Sequence, residues 1–369
     1  MMIKHPFTPR MPLLAVAIVA AFTLTACQAP APKAAVQPPA AATPANVQQN
    51  ELGDGLYEMA YSQPAQAIFV ASAQSFKGVN GGIVYRLNPA TLALTGTTHT
   101  DLKNFGMAID PAGTTLYLTN TLDGGVTAVD TATGKVKNRL LIGDKNQKGT
   151  FYGAREIIYH DGALYVGGVR DPGVIWVVDA KTLELKSRIK NAGRWVTGLL
   201  WSPTAQRIYA ANGGGEILVI NPRNQQIEAR WRPDDGKEYL FLNLAEDPTT
   251  GRLFVTDNSK AKTTLVFDEH SGKVIKRLDT GDALGIKFNP VRNELYITQR
   301  AAGKVLQVDA TSYAVKQSWT FEPHPNSLLV SPDGQTLYVT VKQDLNKDTS
   351  SKGPDKVVRI PLNPAAPAH

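Results

Sequence analysis

The chain has 369 residues, 39 Lys and Arg against 32 Asp and Glu, and a single cysteine. One cysteine excludes a disulfide framework and a multi-thiolate metal site. The formal net charge of +7 permits binding to an anionic polymer or a membrane surface but does not require it. Beyond the amino-terminal segment, no hydrophobic stretch is long enough for a transmembrane helix.

The amino terminus has the pattern of a secretory leader. Lys4 and Arg10 precede an apolar run at 13–22, which is too short to span a bilayer and ends in small residues. The sequence Leu-Thr-Ala-Cys that ends at Cys27 resembles the bacterial lipoprotein box. That resemblance implies cleavage before Cys27, acylation of the new terminus and stable anchoring by two or more acyl chains. Gln28 implies sorting to the outer membrane; an ordinary signal peptide with an incidental cysteine is the alternative.

The segment after the leader lacks the residues that build a core. Ala, Pro, Gln, Val, Thr and Asn dominate it, with Lys33 as its one charged residue. Such a composition predicts a semi-extended tether. We therefore divide the chain into a lipoprotein signal peptide (1–26), an acylated Cys27 with its Pro/Ala-rich tether (27–50), a folded domain (51–362) and a disordered tail (363–369).

A repeat begins near residue 56 and continues to the end of the folded domain. Each copy has a turn followed by an aliphatic residue, an aromatic residue and a β-former. The aromatic positions are Phe69, Tyr117, Tyr165, Tyr209, Phe254, Tyr296 and Tyr338, spaced by 42 to 48 residues. Seven copies at this period fit the blades of a β-propeller. The sequence therefore predicts an all-β fold, a seven-bladed propeller of four-stranded blades.

The last repeat lacks an outermost strand, because only one strand, at 357–362, follows its polar stretch. We expect residues near 47–52 to supply the missing strand. An amino-terminal strand in the last blade would close the ring and remove exposed sheet edges.

The repeats resemble the YVTN-type propeller family. The sequences LYLTN at 116–120 and LYVTV at 337–341 carry the signature most clearly. Longer segments, at 55–62, 174–179, 288–294 and 324–328, resemble a periplasmic branch of that family. The resemblance implies a seven-bladed propeller in the periplasm with no established reaction and an association with single-stranded DNA. The lipoprotein box and the tether are departures from that branch.

Loops at the ends of a propeller channel carry its variable residues. The loops that enter the innermost strands, together with those joining second and third strands, are rich in basic and aromatic residues. Stacking platforms combined with cations suit single-stranded nucleic acid. The candidate binding residues are Arg155, Arg194, Trp195, Tyr239, Phe241, Arg300, His324 and Lys342. The alternative is that the aromatic residues plug the channel and that Arg155 pairs with Glu156.

No catalytic motif, cofactor motif or metal-ligand spacing is present among these residues. We therefore predict no catalytic residue, no cofactor and no metal, and we expect a protein that is not an enzyme. The leading interpretation is a monomeric binding module, anchored to the outer membrane and facing the periplasm, for single-stranded DNA or another anionic polymer. The alternatives are a scaffold for envelope proteins and a lactonase-like or dehydrogenase-subunit-like enzyme, because fold alone does not decide function.

Overall fold

The computed structural model describes residues 46–362. The predicted signal peptide, Cys27, most of the predicted tether and the predicted tail lie outside these residues. The described residues form twenty-eight β-strands in seven four-stranded antiparallel sheets. None of the described residues belongs to a helix long and apolar enough to cross a membrane. The predicted all-β, seven-bladed propeller of four-stranded blades is confirmed.

Blades 1 to 6 follow the chain order, and the first strand of each lies innermost, beside the channel. Blades 1 to 3 consist of β2 (Leu56–Ser62), β3 (Ala67–Ser72), β4 (Gly82–Leu87), β5 (Leu94–Thr100); β6 (Asn104–Ile109), β7 (Thr115–Asn120), β8 (Gly125–Asp130), β9 (Val136–Leu141); β10 (Gly153–His160), β11 (Ala163–Val169), β12 (Val174–Asp179), β13 (Leu185–Ile189). Blades 4 to 6 consist of β14 (Val196–Ser202), β15 (Arg207–Asn212), β16 (Ile217–Asn221), β17 (Gln226–Trp231); β18 (Phe241–Asp247), β19 (Arg252–Asp257), β20 (Thr264–Asp268), β21 (Val274–Leu278); β22 (Ala283–Asn289), β23 (Glu294–Gln299), β24 (Lys304–Asp309), β25 (Val315–Thr320).

Blade 7 joins the two ends of the domain. It contains β26 (His324–Val330), β27 (Thr336–Lys342) and β28 (Asp355–Pro361), and its outermost strand is β1 (Gln48–Gly53). β1 pairs antiparallel with β28, so the predicted closure by an amino-terminal strand is confirmed. β1 begins at Gln48, three residues before the predicted start of the folded domain at residue 51. The side chains at 48–50 are polar and therefore fit the predicted tether, but they lie on the solvated outer edge of the blade.

The core lies between the blades. The second strand of each blade is buried on both faces, because neighbouring blades cover it from each side. The repeated aromatic residues occupy this position, and Tyr209, Phe254 and Tyr296 are at most 1% exposed. Burying a side chain of this size is worth about 1.5–3 kcal/mol. The repeat read from the sequence is therefore a packing repeat.

Each innermost strand contains a β-bulge close to its start. The bulge lies between Leu56 and Met59 in β2, between Ala154 and Ile157 in β10, and at matching places in the other five. A bulge inserts an extra residue, so two neighbouring side chains can turn to the same side. The seven bulges therefore form a ring whose side chains line the channel.

The threonine of the YVTN signature links these bulges from blade to blade. The Thr298 hydroxyl accepts a hydrogen bond from the Gly285 amide at 2.7 Å and donates one to the Asn326 carbonyl at 2.9 Å. Thr119 and Thr256 make equivalent bonds in blades 2 and 5. A Cβ on Gly285 would lie 2.5 Å from the Asn326 carbonyl oxygen, so glycine permits this approach. The signature thus satisfies the bulge amides and joins adjacent blades.

Candidate functional site

The channel-mouth face is the surface formed by loops that enter the innermost strands and loops that join second to third strands. Two concave regions open there. The central cavity has a volume of about 270 Å³ and is lined by the innermost strands of all seven blades. The groove has a volume of about 1210 Å³ and lies between the loops of blades 4 and 5. The two regions have different charge, so we describe them separately.

The central cavity contains charged side chains of both signs. The bulge in β10 places both Arg155 and Glu156 on its wall. The other charged side chains that line it are Glu58, Lys287 and Arg300. Among the described residues, no ion pair joins Arg155 to Glu156. The sequence-based alternative of a local Arg155–Glu156 pair is therefore not what the structure contains.

Arg155 is held by aromatic and backbone contacts. One guanidinium nitrogen donates to the Thr197 carbonyl, and the guanidinium lies 5.3 Å from the centre of the Phe105 ring. The Phe105 and Tyr57 rings are 4.2 Å apart, so aromatic residues do form part of the channel wall. Burial lowers the pKa of Arg155, and the negative charges of nearby glutamates oppose that change.

Glu156 is half-buried and faces a second carboxylate. Burial, followed by the negative charge of Glu58, raises the pKa of Glu156 to about 7, against the opposing charges of Arg155 and Lys287. Glu58 itself accepts a hydrogen bond of 2.7 Å from the Ser327 hydroxyl. Glu156 therefore exchanges a proton near neutral pH, which an exposed glutamate does not do.

The groove is predominantly basic. Its lining includes the cationic side chains of Arg194, Arg232, Lys237, Lys260, Lys262 and Arg277 and the carboxylate of Glu238. Arg232 pairs with Glu216 at 2.7 Å, and Arg277 pairs with Asp235 at 3.0 Å. Within residues 46–362, the other four cations form no ion pair. An uncompensated cluster of this kind attracts anions.

A buried aspartate orders the loop that carries two of these lysines. Asp257 follows the signature threonine and is fully buried. Its carboxylate accepts hydrogen bonds from the Leu240 amide at 2.9 Å, the Ser259 amide at 3.1 Å and the Ser259 hydroxyl at 2.7 Å. The turn is therefore fixed, and Lys260 and Lys262 project from a defined backbone.

Arg194 and Trp195 form a stacked pair at the border of the groove. The Arg194 guanidinium lies 4.0 Å from the centre of the Trp195 ring. Trp195 has a φ of 53°, a strained conformation for a bulky side chain. Its amide donates to the Arg170 carbonyl at 3.1 Å, and its carbonyl accepts from the Gly213 amide at 3.0 Å. These bonds hold the strained residue in place.

Three of the predicted binding residues belong to the scaffold. Phe241 is fully buried between blades 4 and 5, so its ring offers no stacking face to a ligand. Tyr239 is 6% exposed, and its hydroxyl donates to Asp235 at 2.7 Å. The Lys342 side chain is 12% exposed and bonds to Asp355 at 3.3 Å. These three side chains expose little surface to a ligand, although Tyr239 does line the groove, and their binding role stays a prediction.

The remaining predicted residues lie at the channel mouth and at the groove. His324 bonds to Asp344 through Nε2 at 2.8 Å and to the Arg300 carbonyl through Nδ1 at 3.2 Å. The bond from His324 keeps the pKa of Asp344 low. Arg155 and Arg300 line the central cavity, whereas Arg194 lines the groove beside Trp195. The structure therefore does not bring the predicted residues into one site, and their binding role stays a prediction.

Sequence reasoning did not select several residues of both regions. In the groove these are Arg232, Lys237, Lys260, Lys262 and Arg277, and in the cavity they are Glu58, Glu156 and Lys287. The two lysines of the 258–262 loop were a usable signal, because lysines on a tight turn are exposed. Lys287 was another, because it is the one charged side chain within the mainly apolar strand β22.

A buried carboxyl pair lies at the end of blades 4 and 5 opposite the groove. Glu246 accepts a 2.7 Å hydrogen bond from Ser202, and both Glu269 oxygens are buried without a hydrogen-bond partner. Burial, followed by the charge of Glu246 and an interaction between the two carboxyls, raises the pKa of Glu269 to about 8. Nowhere in residues 46–362 do three or more His, Cys, Asp or Glu side chains form a group suited to a metal ion.

Comparison with known proteins finds relatives that match most of this chain. No family model matches it. A protein named YncE from Salmonella typhimurium is 42% identical over 316 residues, which are 84% of this chain and 89% of that protein. YncE from Escherichia coli is 38% identical over 316 residues, with the same coverage of both chains. Antigen Lp49 from Leptospira interrogans is 23% identical over 278 residues, 69% of this chain and 58% of that protein.

The resemblance found in the repeats extends over nearly the whole folded domain. Identity of 38 to 42% across 84% of the chain is far more than a shared blade repeat produces. The seven four-stranded blades agree with that relationship. The chain therefore belongs to the YncE family of β-propeller proteins.

Proposed function

We propose that the protein is a binding module whose groove takes single-stranded DNA or a similar anionic polymer. The groove supports this proposal because six cationic side chains face one carboxylate there, and four of the six have no ion-pair partner among the described residues. Each unpaired cation can neutralise one phosphate and release a condensed counterion. The groove opens to solvent between the loops of two blades, so a polymer can reach it.

The stacked Arg194–Trp195 pair supplies a planar surface for stacking bases, which the lysine side chains of the groove do not provide. An indole or a guanidinium plane accepts any base by stacking, because every base has a π-face. The pair is held by backbone bonds at the border of the groove, so little ordering is needed when a ligand arrives. Cations together with a preformed stacking platform favour single strands over duplex DNA, whose bases are already stacked. We propose binding here without turnover.

The test is fluorescence anisotropy of a labelled oligothymidylate of about 20 nucleotides with the purified protein, because site sizes on comparable single-strand binding surfaces are about 4–16 nucleotides. The variant combines Lys260→Gln and Lys262→Gln, and we expect it to weaken binding about 10-fold by loss of two phosphate contacts. The matched control combines Lys273→Gln and Lys276→Gln, which remove the same charge from exposed positions of blade 5 outside the groove.

Equal losses in the variant and the control would mean that net charge alone attracts the oligonucleotide, and the groove proposal would then be wrong. Undiminished binding in the groove variant would have the same meaning. Absence of any binding would move the envelope-protein scaffold to first place. Duplex DNA of equal length serves as competitor, and we expect it to compete more weakly than the single strand.

We also propose that the module is attached to the periplasmic side of the outer membrane through acylated Cys27. The lipoprotein box and the Pro/Ala-rich tether in the sequence support this proposal. Metabolic labelling with an alkyne-bearing palmitate tests it, because the label should appear on the protein and disappear in Cys27→Ser. Sucrose-gradient separation of envelope membranes then tests the outer-membrane location, and an unlabelled wild-type protein would contradict the proposal.

A further inference from the structure

The central cavity holds charges of both signs that the protein does not pair. Glu156, Lys287 and Arg300 line it, and none of the three takes part in an ion pair within residues 46–362. Glu156 and Arg300 are half-buried, whereas Lys287 is exposed. A half-buried charge without a partner is costly, since its desolvation is not repaid by attraction. An unpaired carboxylate and unpaired cations in one cavity are therefore the complement of a ligand that carries both charges.

The geometry keeps these charges apart. The β10 bulge turns Arg155 and Glu156 to the same side, yet Arg155 is bonded to the Thr197 carbonyl and faces Phe105. Lys287 comes from blade 6, across the ring from Glu156 in blade 3. The ring of bulges thus holds the backbones of these residues at separate points of the cavity wall.

Size and wall chemistry limit the ligand further. A volume of about 270 Å³ is below the usual range for drug-sized ligands, so an extended polymer does not fit inside. Leu199, Leu244 and Ile286 contribute a small apolar area to the wall, because their side chains are at most 8% exposed and pack mainly between the blades. A simple anion would leave Glu156 facing like charge, and a simple cation would leave Arg300 unmatched.

We propose that the central cavity binds a small zwitterion with one ammonium and one carboxylate, of amino-acid or dipeptide size and with an aliphatic side chain. The ammonium lies against Glu156 and Glu58, and the carboxylate lies against Arg300 and Arg155. The site is separate from the groove and does not depend on the proposed polymer binding.

Isothermal titration calorimetry with three probes tests the charge requirement. The probes are L-leucine, L-leucinamide, which lacks the carboxylate, and N-acetyl-L-leucine, which lacks the ammonium. We expect L-leucine to bind at least about 10-fold more tightly than either derivative, since each loses one charge-assisted contact. No binding of L-leucine would overturn the proposal, and equal affinity for L-leucine and either derivative would do so as well.

Two variants locate the contacts. Glu156→Gln should weaken L-leucine and L-leucinamide but not N-acetyl-L-leucine, whereas Arg300→Gln should weaken L-leucine and N-acetyl-L-leucine but not L-leucinamide. The groove variant with Lys260→Gln and Lys262→Gln should bind L-leucine unchanged. The two single variants change different ends of the ligand, so a folding defect in one leaves the other informative. Unchanged affinity for all three probes in both variants would overturn the assignment.

Proton release gives a readout that a structural role would not produce. The charged groups facing Glu156 are Glu58, Arg155, Lys287 and the other cavity cation, Arg300. Because the pKa of Glu156 is raised to about 7, an arriving ammonium should lower it and expel a proton at neutral pH. The observed heat of L-leucine binding should then differ between phosphate and Tris buffers, and the difference should vanish in Glu156→Gln. A buffer-independent heat for the wild-type protein would contradict contact with Glu156.

Discussion

The central cavity and the groove open on the same face, yet they are built by different parts of the chain. Residues within the innermost strands line the cavity, and a ring of bulges and signature threonines fixes their positions. Loops of two blades line the groove, and its side chains are largely exposed. The cavity is small and carries charges of both signs, whereas the groove is larger and mainly basic.

This difference teaches how one repeated scaffold can hold two kinds of site. Strand positions face inward around the whole ring, so a ligand there must be small and must match fixed charges. Loop positions are free to accumulate one charge without disturbing the blades, because surface charges cost little when solvated. The cavity, with its fixed strand positions, therefore carries charges of both signs, whereas the exposed loops of the groove can carry an excess of positive charge.

The largest expected contrast is in salt dependence. With four unpaired groove cations each neutralising one phosphate, oligonucleotide affinity should fall about 50-fold between about 50 mM and about 200 mM salt. L-leucine affinity should change by less than about 2-fold over the same range, because its charges are matched within a small cavity. Anisotropy and calorimetry at matched salt concentrations measure the two, and parallel salt slopes would abolish the distinction.

The bulge ring can be weakened in blade 6, at a residue that does not line the groove. Thr298→Val removes the hydroxyl that bonds to the Gly285 amide and the Asn326 carbonyl, both at the cavity wall. Leaving a buried amide without a partner should cost about 1–3 kcal/mol of unfolding free energy. Chemical denaturation measures the loss, with the exposed Thr311→Val change in the same blade as control. Oligonucleotide affinity should stay the same, and a parallel fall would mean that the two regions share structural support.

The Glu246–Glu269 carboxyl pair, at the end of blades 4 and 5 opposite the groove, predicts a pH dependence of folding stability. This effect is independent of both the cavity and the groove. The pKa of Glu269 is raised from the ordinary glutamate value to about 8, so folding favours its neutral form. The contribution of this group to stability should therefore be greatest below about pH 4.5, fall as pH rises from about 4.5 to about 8, and then change no further.

Glu269→Gln, which imitates the neutral carboxyl, should flatten that dependence and raise the Tm at pH 8 by about 2–4 °C. Differential scanning fluorimetry across pH measures both effects. Groove affinity at constant pH should not change, since the pair lies at the far end of β18. A Tm in Glu269→Gln that followed the wild-type curve would mean that Glu269 titrates normally.

The smallest expected effect separates stacking from charge within the groove. Arg194→Lys keeps the positive charge but loses the planar guanidinium that lies over Trp195. We expect oligonucleotide affinity to fall about 2–3-fold, in line with an exposed cation–π contact of about 0.5–1 kcal/mol. The salt slope should be unchanged. A changed slope would indicate that Arg194 acts as a phosphate contact rather than as part of a platform.

The fold could be predicted from the sequence because residues that pack between blades recur at a regular spacing along the chain. Buried aromatic residues such as Tyr209 and Tyr296 recur wherever blades stack, and the incomplete last repeat predicted the closing strand β1. The candidate site followed only in part. Phe241 and Tyr239 stand close together at a predicted loop, but the start of β18 turns Phe241 into the core.

Other parts of the site depend on partners that are distant along the chain. Lys342 has the pattern of an exposed loop cation, yet Asp355 from the next strand pairs with it. The cavity residues depend on β-bulges, which have no reliable signature in a single sequence. A strand read with strict alternation places Arg155 and Glu156 on opposite faces, whereas the bulge brings them together.

The closing strand also sets the order in which the molecule can be completed. Asp355 accepts a hydrogen bond from the amide of Leu56, 299 positions away. Among the strands of residues 46–362, only β28 pairs with β1. Synthesis proceeds from the amino terminus, so β1 is made first and pairs last. The first six blades can fold during synthesis, but the ring closes only after β28 has been made. Until then β1 has no partner strand, and blade 7 keeps an unpaired edge.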